Sequence, residues 1–151
     1  MKTIVGLIFI GGILLFGSDS KAVSISLSLT PTSLSFADND PDFFPEIPAN
    51  TGIQVSVRVR ENRRGRWTLT HRAATDLRSG ADTIPVSSIT WTASPTPPFL
   101  NGRMSALVNQ KAGEGSGNVN RVGTFQFRLG NSWNFNRGNY SAVTNFTLSA
   151  P

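Results

Sequence analysis

Six arginines, Arg58, Arg60, Arg63, Arg64, Arg66 and Arg72, fall within one 15-residue stretch. A guanidinium grips a phosphate or carboxylate through two parallel N–H bonds, so several on one face suit an anionic polymer. Alternation in the flanking residues sets Val57, Val59, Trp67 and Leu69 to one side. It sets Arg58, Arg60, Arg66 and Arg72 to the other, with Arg63 and Arg64 at the turn between them. The expectation is a hairpin with one cationic face, offset only by Glu61. Its ligand would be an anionic cell-wall polymer of the teichoic acid class. The plainer role is charge that keeps a strand face from aggregating.

Catalytic chemistry has little material. The chain has no cysteine and one histidine, His71. Thiolate nucleophiles and thiolate metal sites are therefore impossible. No G-x-S-x-G elbow is present to pair with His71, whose parity with Trp67 and Leu69 points it inward in a structural role. Asp38, Asp40 and Asp42 alternate as calcium loops begin. Phe43 and Ala49 stand where an EF-hand loop needs glycine and glutamate, and a solvated acidic loop is expected. No catalytic residue, metal or cofactor is assigned. Trp91 shares parity with Ile89 and reads as core. Trp133 lies in a link between strands and is the candidate platform for stacking a sugar ring.

These side chains must be carried by strands. Ile53, Val55, Val57 and Val59 alternate with Gln54, Ser56, Arg58 and Arg60, the period of a half-buried strand. The same pattern runs through Val23–Leu29, Trp67–His71, Val86–Ala93, Val122–Leu129 and Tyr140–Leu148. A short strand is expected over 105–110, and 112–120, rich in glycine, serine and asparagine, reads as an exposed loop. Residues 37–52, 73–83 and 131–139 read as links. Pro95, Pro97 and Pro98 mark a stiff connection that carries no ladder. The fold expected is all-β, an antiparallel Ig-like sandwich of about six to eight strands.

The N-terminus sets the compartment. Met1-Lys2-Thr3 is basic, Ile4–Phe16 is an apolar run of 13 residues, and Ser20-Lys21-Ala22 has the small-x-small form of a cleavage site. The run is shorter than the roughly 20 residues a membrane-spanning helix needs. Residues 1–22 are therefore expected to be a signal peptide, and 23–151 a single exported domain with no membrane span. A cysteine-free exported domain fits a bacterial source. Past Ala22 the chain keeps twelve basic and eight acidic residues, and eleven of the twelve cations are arginine. Nucleic acid is not an expected partner of an exported chain.

Three segments together resemble the WxL domain of Gram-positive cell surfaces. They are Trp67-Thr68-Leu69, the Gly138-Asn139-Tyr140 step into the last strand, and Phe146-Thr147-Leu148 followed by Pro151. Phe146 stands where that family has tryptophan. The resemblance implies non-covalent attachment to the cell wall, with peptidoglycan as ligand, and neither cofactor nor catalysis. Tyr140 also has the placement of a tyrosine corner, in which the hydroxyl bonds nearby backbone. The leading expectation is thus a secreted, non-enzymatic module that binds cell-wall polymer or other surface proteins. The alternatives are a pilus subunit that donates a strand such as Val23–Leu29 to a neighbour's sheet, and a carbohydrate-binding module using Trp133. The oligomeric state is left open.

Overall fold

The computed structural model describes residues 4–15, 23–61 and 64–151. Thirteen strands lie among the described residues: β1 (Ile4–Leu15), β2 (Ser24–Thr30), β3 (Ser33–Phe36), β4 (Glu46–Pro48), β5 (Ile53–Arg60), β6 (Arg66–Ala73), β7 (Leu77–Ser79), β8 (Asp82–Ile84), β9 (Ile89–Ser94), β10 (Gly102–Arg103), β11 (Gln110–Ser116), β12 (Val119–Gly130) and β13 (Asn139–Ala150). They form two sheets. The first runs β11-β6-β13-β1-β3, with β7 and β8 attached beyond β13. The second runs β10-β9-β12-β5-β2, with β4 also paired to β12. No helix among the described residues is long and apolar enough to cross a membrane.

Alternation puts one face of each sheet into a shared core. Ile53, Val55, Val57 and Val59 of β5 are fully buried, and so are Leu69, Phe146 and Leu148 of the opposite sheet. Aromatic rings close the space between the layers. Phe146 meets Phe125 edge-on at 5.4 Å between centroids, and His71 meets Trp91 at 5.1 Å. Each such side chain contributes roughly 1.5–3 kcal/mol by leaving water.

Four expectations change. Strands β5 and β6 are not a hairpin. They lie in different sheets, and the link through Glu61 carries the chain from one layer to the other. Both strands need the same buried face, and two sheets satisfy that as well as one. Residues 112–120 are not an open loop but most of β11 and the start of β12, joined at Gly117 with a φ of 71°. The glycines of β11 are there for clearance. A Cβ at Gly115 would lie 2.7 Å from Trp67 Nε1, so only a bare backbone can cover that ring. No strand forms over 105–109, where the chain bends between β10 and β11. The strands also outnumber the expectation, because Leu77–Ile84 makes a small hairpin through Gly80, and β4 forms inside the first long link.

The close approach at β12 gives a test. A Cβ at Gly123 would sit 2.4 Å from the buried Phe99 ring. Gly123→Ala is expected to cost about 1–3 kcal/mol through overpacking, read as a lower urea midpoint at unchanged slope.

Candidate functional site

The N-terminal apolar run supplies the feature that stands apart. Residues 4–15, expected to be a leader outside the fold, form β1 in the middle of the first sheet. The strand runs parallel to β13 over its whole length, from Ile4 opposite Asn139 to Leu15 opposite Ala150. On its other side it pairs antiparallel with β3, Val5 opposite Phe36 to Ile8 opposite Ser33. The expected cleavage point after Ala22 lies outside the described residues.

β1 fills a slot. Leu7 is fully buried and Phe9 nearly so. The Phe9 ring lies 5.3 Å from Phe127, 5.8 Å from His71 and 5.9 Å from Phe146. Its backbone N–H donates to the Thr32 carbonyl at 2.9 Å. Gly11 faces the edge strand of the other sheet, where a Cβ would make ordinary contact with Leu27 at 3.6 Å. Among the described residues no other strand pairs with β3, which has only a single bridge, Phe36 to Ala49, besides β1, and β13 has β1 as its partner along one whole edge. Without β1, two ladder edges about two strand spacings apart, roughly 10 Å, would flank an open apolar trench.

The outward side of β1 departs from the rest of the molecule. Ile8 and Ile10 are about half exposed. Its two flanking strands turn mainly polar residues outward, Ser33 and Ser35 on β3 and Ser141, Asn145 and Thr147 on β13, with Val143 beside Ile8 the exception. β1 is therefore apolar on both faces, the composition of an export leader rather than of a half-solvated strand.

The arginines do not form one surface. Arg58 and Arg60 are exposed on the outer face of the second sheet, Arg66 and Arg72 on the outer face of the first. The two pairs thus point away from each other across the core. Arg64 is an exposed residue of the link, and Arg63 lies outside the described residues. Arg72 is engaged within the chain, its Nε and Nη2 donating to the Ala106 carbonyl at 3.1 and 2.9 Å. The single cationic hairpin face is overturned because the link changes sheet.

Residues carrying the WxL resemblance come together, but inside. β6 and β13 pair antiparallel, with Leu69 opposite Leu148 and His71 opposite Phe146. Trp67, Leu69, Tyr140, Phe146 and Leu148 are all buried, so they build the core and offer nothing to a ligand. Tyr140 Oη donates to the Asn136 carbonyl at 3.0 Å, the corner bond expected of it. Trp91 is buried with its Nε1 donating to the Leu100 carbonyl, whereas Trp133 is 56% exposed. In the acidic loop, Asp40 accepts from the Asp42 N–H and Asp42 accepts from Trp133 Nε1.

His71 sits at the centre of the core, stacked on Phe146 at 4.2 Å and 12°. Its Nε2 lies 3.1 Å from Thr144 Oγ1, and its Nδ1 has no hydrogen-bond partner. Burial pushes its pKa down to about 3. The ring is a neutral packing element beneath the slot.

A scan against protein-family models matches none, and no curated protein matches the chain.

Two outcomes follow. In the unprocessed chain, Phe9→Ala should cost about 3–5 kcal/mol, whereas Ile10→Ser, on the outward face, should stay within about 0.5 kcal/mol, both by urea unfolding. The second outcome concerns pH. Between about pH 6.5 and 3 the unfolded histidine binds a proton that the folded one refuses. Stability therefore falls as pH drops, by up to about 1.4 kcal/mol per unit. Urea midpoints between pH 7 and 5, where carboxylates stay ionised, should show this slope. His71→Phe should flatten it.

Proposed function

We propose that this protein is an exported, non-catalytic structural subunit of the cell surface, an Ig-like sandwich completed by a strand from a neighbouring copy. The observation that carries the reading is the position of β1. A segment with the composition of an export leader occupies a central place in the sheet, parallel to the last strand and apolar on both sides. Removal of that leader on export leaves the slot between β13 and β3 empty and its aromatic floor exposed. A sheet with two open edges and an apolar trench takes up an extended strand readily, because main-chain bonds supply affinity and alternate side chains supply fit.

The donor that fits is Val23–Thr30. Its inward side offers Val23, Ile25, Leu27 and Leu29, and its outward side offers serine and threonine, the alternation that β1 lacks. As β2 it is held at the edge of the second sheet by β5 alone, and Leu27 and Leu29 are only half-buried there. Its release costs less than that of any interior strand. One cleavage after Ala22 would then free both the acceptor and the donor.

The reading of a wall-polymer module keeps no specific support. The arginines that suggested it divide between opposite faces, and the motif residues that suggested peptidoglycan are core.

The chain beginning at Val23 tests the proposal. It should form ladders of assembled subunits on unheated gels that collapse to one band on heating. Ile25→Asp with Leu27→Asp should leave acceptor-competent monomers that bind synthetic peptides of residues 4–15 and 23–30. A folded monomer from Val23 that neither assembles nor binds either peptide would refute it.

A further inference from the structure

The loop after β3, residues 37–45, and the loop between β12 and β13, residues 131–138, are laced together at one end of the sandwich. The Asn131 N–H donates to the Pro45 carbonyl at 2.8 Å, and Asn131 Nδ2 donates to the carbonyls of Asn39 and Phe44 at 2.9 and 3.1 Å. Trp133 Nε1 donates to Asp42 Oδ1 at 3.0 Å, and Asp42 is itself held by its N–H on Asp40 Oδ1 at 2.9 Å. The indole is thus fixed by its polar edge while more than half of its surface stays in water.

Trp67 and Trp91 are both buried, and Trp133 alone of the three faces solvent. It borders a cleft with an apolar floor of Ile47, Ile84 and Leu129 and with Asn39, Asn131 and Ser132 on its walls. Phe43, 78% exposed, and Phe44, 50% exposed, stand in the loop that Trp133 is tied to. Large exposed rings grouped at one place on a polar surface mark a binding site.

We infer that this cleft is a subsite for a neutral sugar, with the C–H face of a pyranose ring on the indole of Trp133 and its hydroxyls on the surrounding carboxylates and amides. Charge decides the ligand class. Asp40 and Asp42 place negative charge here on a chain of net positive charge, which disfavours wall phosphates, sulfated glycans and nucleic acids. The cleft is short and mixed in polarity, which suits a ring with alternating apolar and hydroxyl surface better than an apolar helix. The cross-loop bonds hold the platform before a ligand arrives, which lowers the ordering cost of binding. The site involves no part of β1 or β2, so it stands or falls apart from the strand-donation reading.

The test uses the exported protein and tryptophan fluorescence, in which a ligand-dependent change reports on Trp133, because the other two indoles emit but are shielded from ligand and acrylamide. Oligomers of N-acetylglucosamine, glucose, galactose and mannose are titrated separately, with heparin as the anionic control. At least one neutral oligomer should shift the emission and protect it from acrylamide. Trp133→Ala should weaken binding of that oligomer, followed by calorimetry, by about tenfold or more. Trp133→Phe should recover part of the loss, and Asp42→Ala should weaken binding severalfold with the fold unchanged by circular dichroism. Failure of all four oligomers at millimolar concentration, undiminished binding to Trp133→Ala, or tighter binding of heparin than of any neutral oligomer would each overturn the inference.

Discussion

The first sheet hangs on β13. That strand is 12 residues long and alternates strictly, with Tyr140, Ala142, Thr144, Phe146, Leu148 and Ala150 inward. One edge holds β6 and, through it, β11; the other holds β1 and, through it, β3. Its inward side chains also carry the seam to the other layer: Phe146 meets Phe125 directly, and it stacks on its ladder neighbour His71, which meets Trp91. Backbone groups on a buried strand need partners on both sides, so whatever occupies the β1 position is a condition for the whole layer. The function proposed here follows from that constraint rather than from any reactive group.

Much of the architecture was legible from alternation alone. β5, β6, β12 and β13 lie where their two-residue periods put them, and the inward parity of Trp67, Leu69, His71, Trp91 and Tyr140 holds in every case. Sheet membership was not legible. Parity fixes which side of a strand is buried but not which of two sheets it joins, and a five-residue link serves either a hairpin or a crossing. The cationic face failed on that ambiguity. β11 was illegible for a different reason. Its sequence, Gln110–Ser116, carries the glycines and polar residues of a loop, and its strand character is imposed by the flat face of Trp67, a partner 48 residues earlier in the chain.

The slot was hidden by a sound inference. An apolar N-terminal run with a small-x-small end reads as a leader, and a leader is set aside when a fold is derived. The composition that reads as a leader also makes β1 an ill-matched strand, with Ile8 and Ile10 facing water. The signal available in the sequence was the neighbouring segment, Val23–Thr30, whose serine and aliphatic alternation suits a half-wet sheet position better than the residues filling it. Trp133 was legible as exposed, but its bond to Asp42, 91 residues away in the chain, was not.

The outer rim of the first sheet carries its own implication. The free side of β11 is shut by the proline-rich connection, where the Pro98 carbonyl takes the Glu114 N–H and Leu100 donates to Ala112. At one margin of the other sheet, β10 is only two residues long, too brief to template a partner. On the strand-donation proposal each subunit offers one acceptor slot and one donor strand, a valence of two, and with these two borders blunted its growth runs along a line and lengthens into a thread.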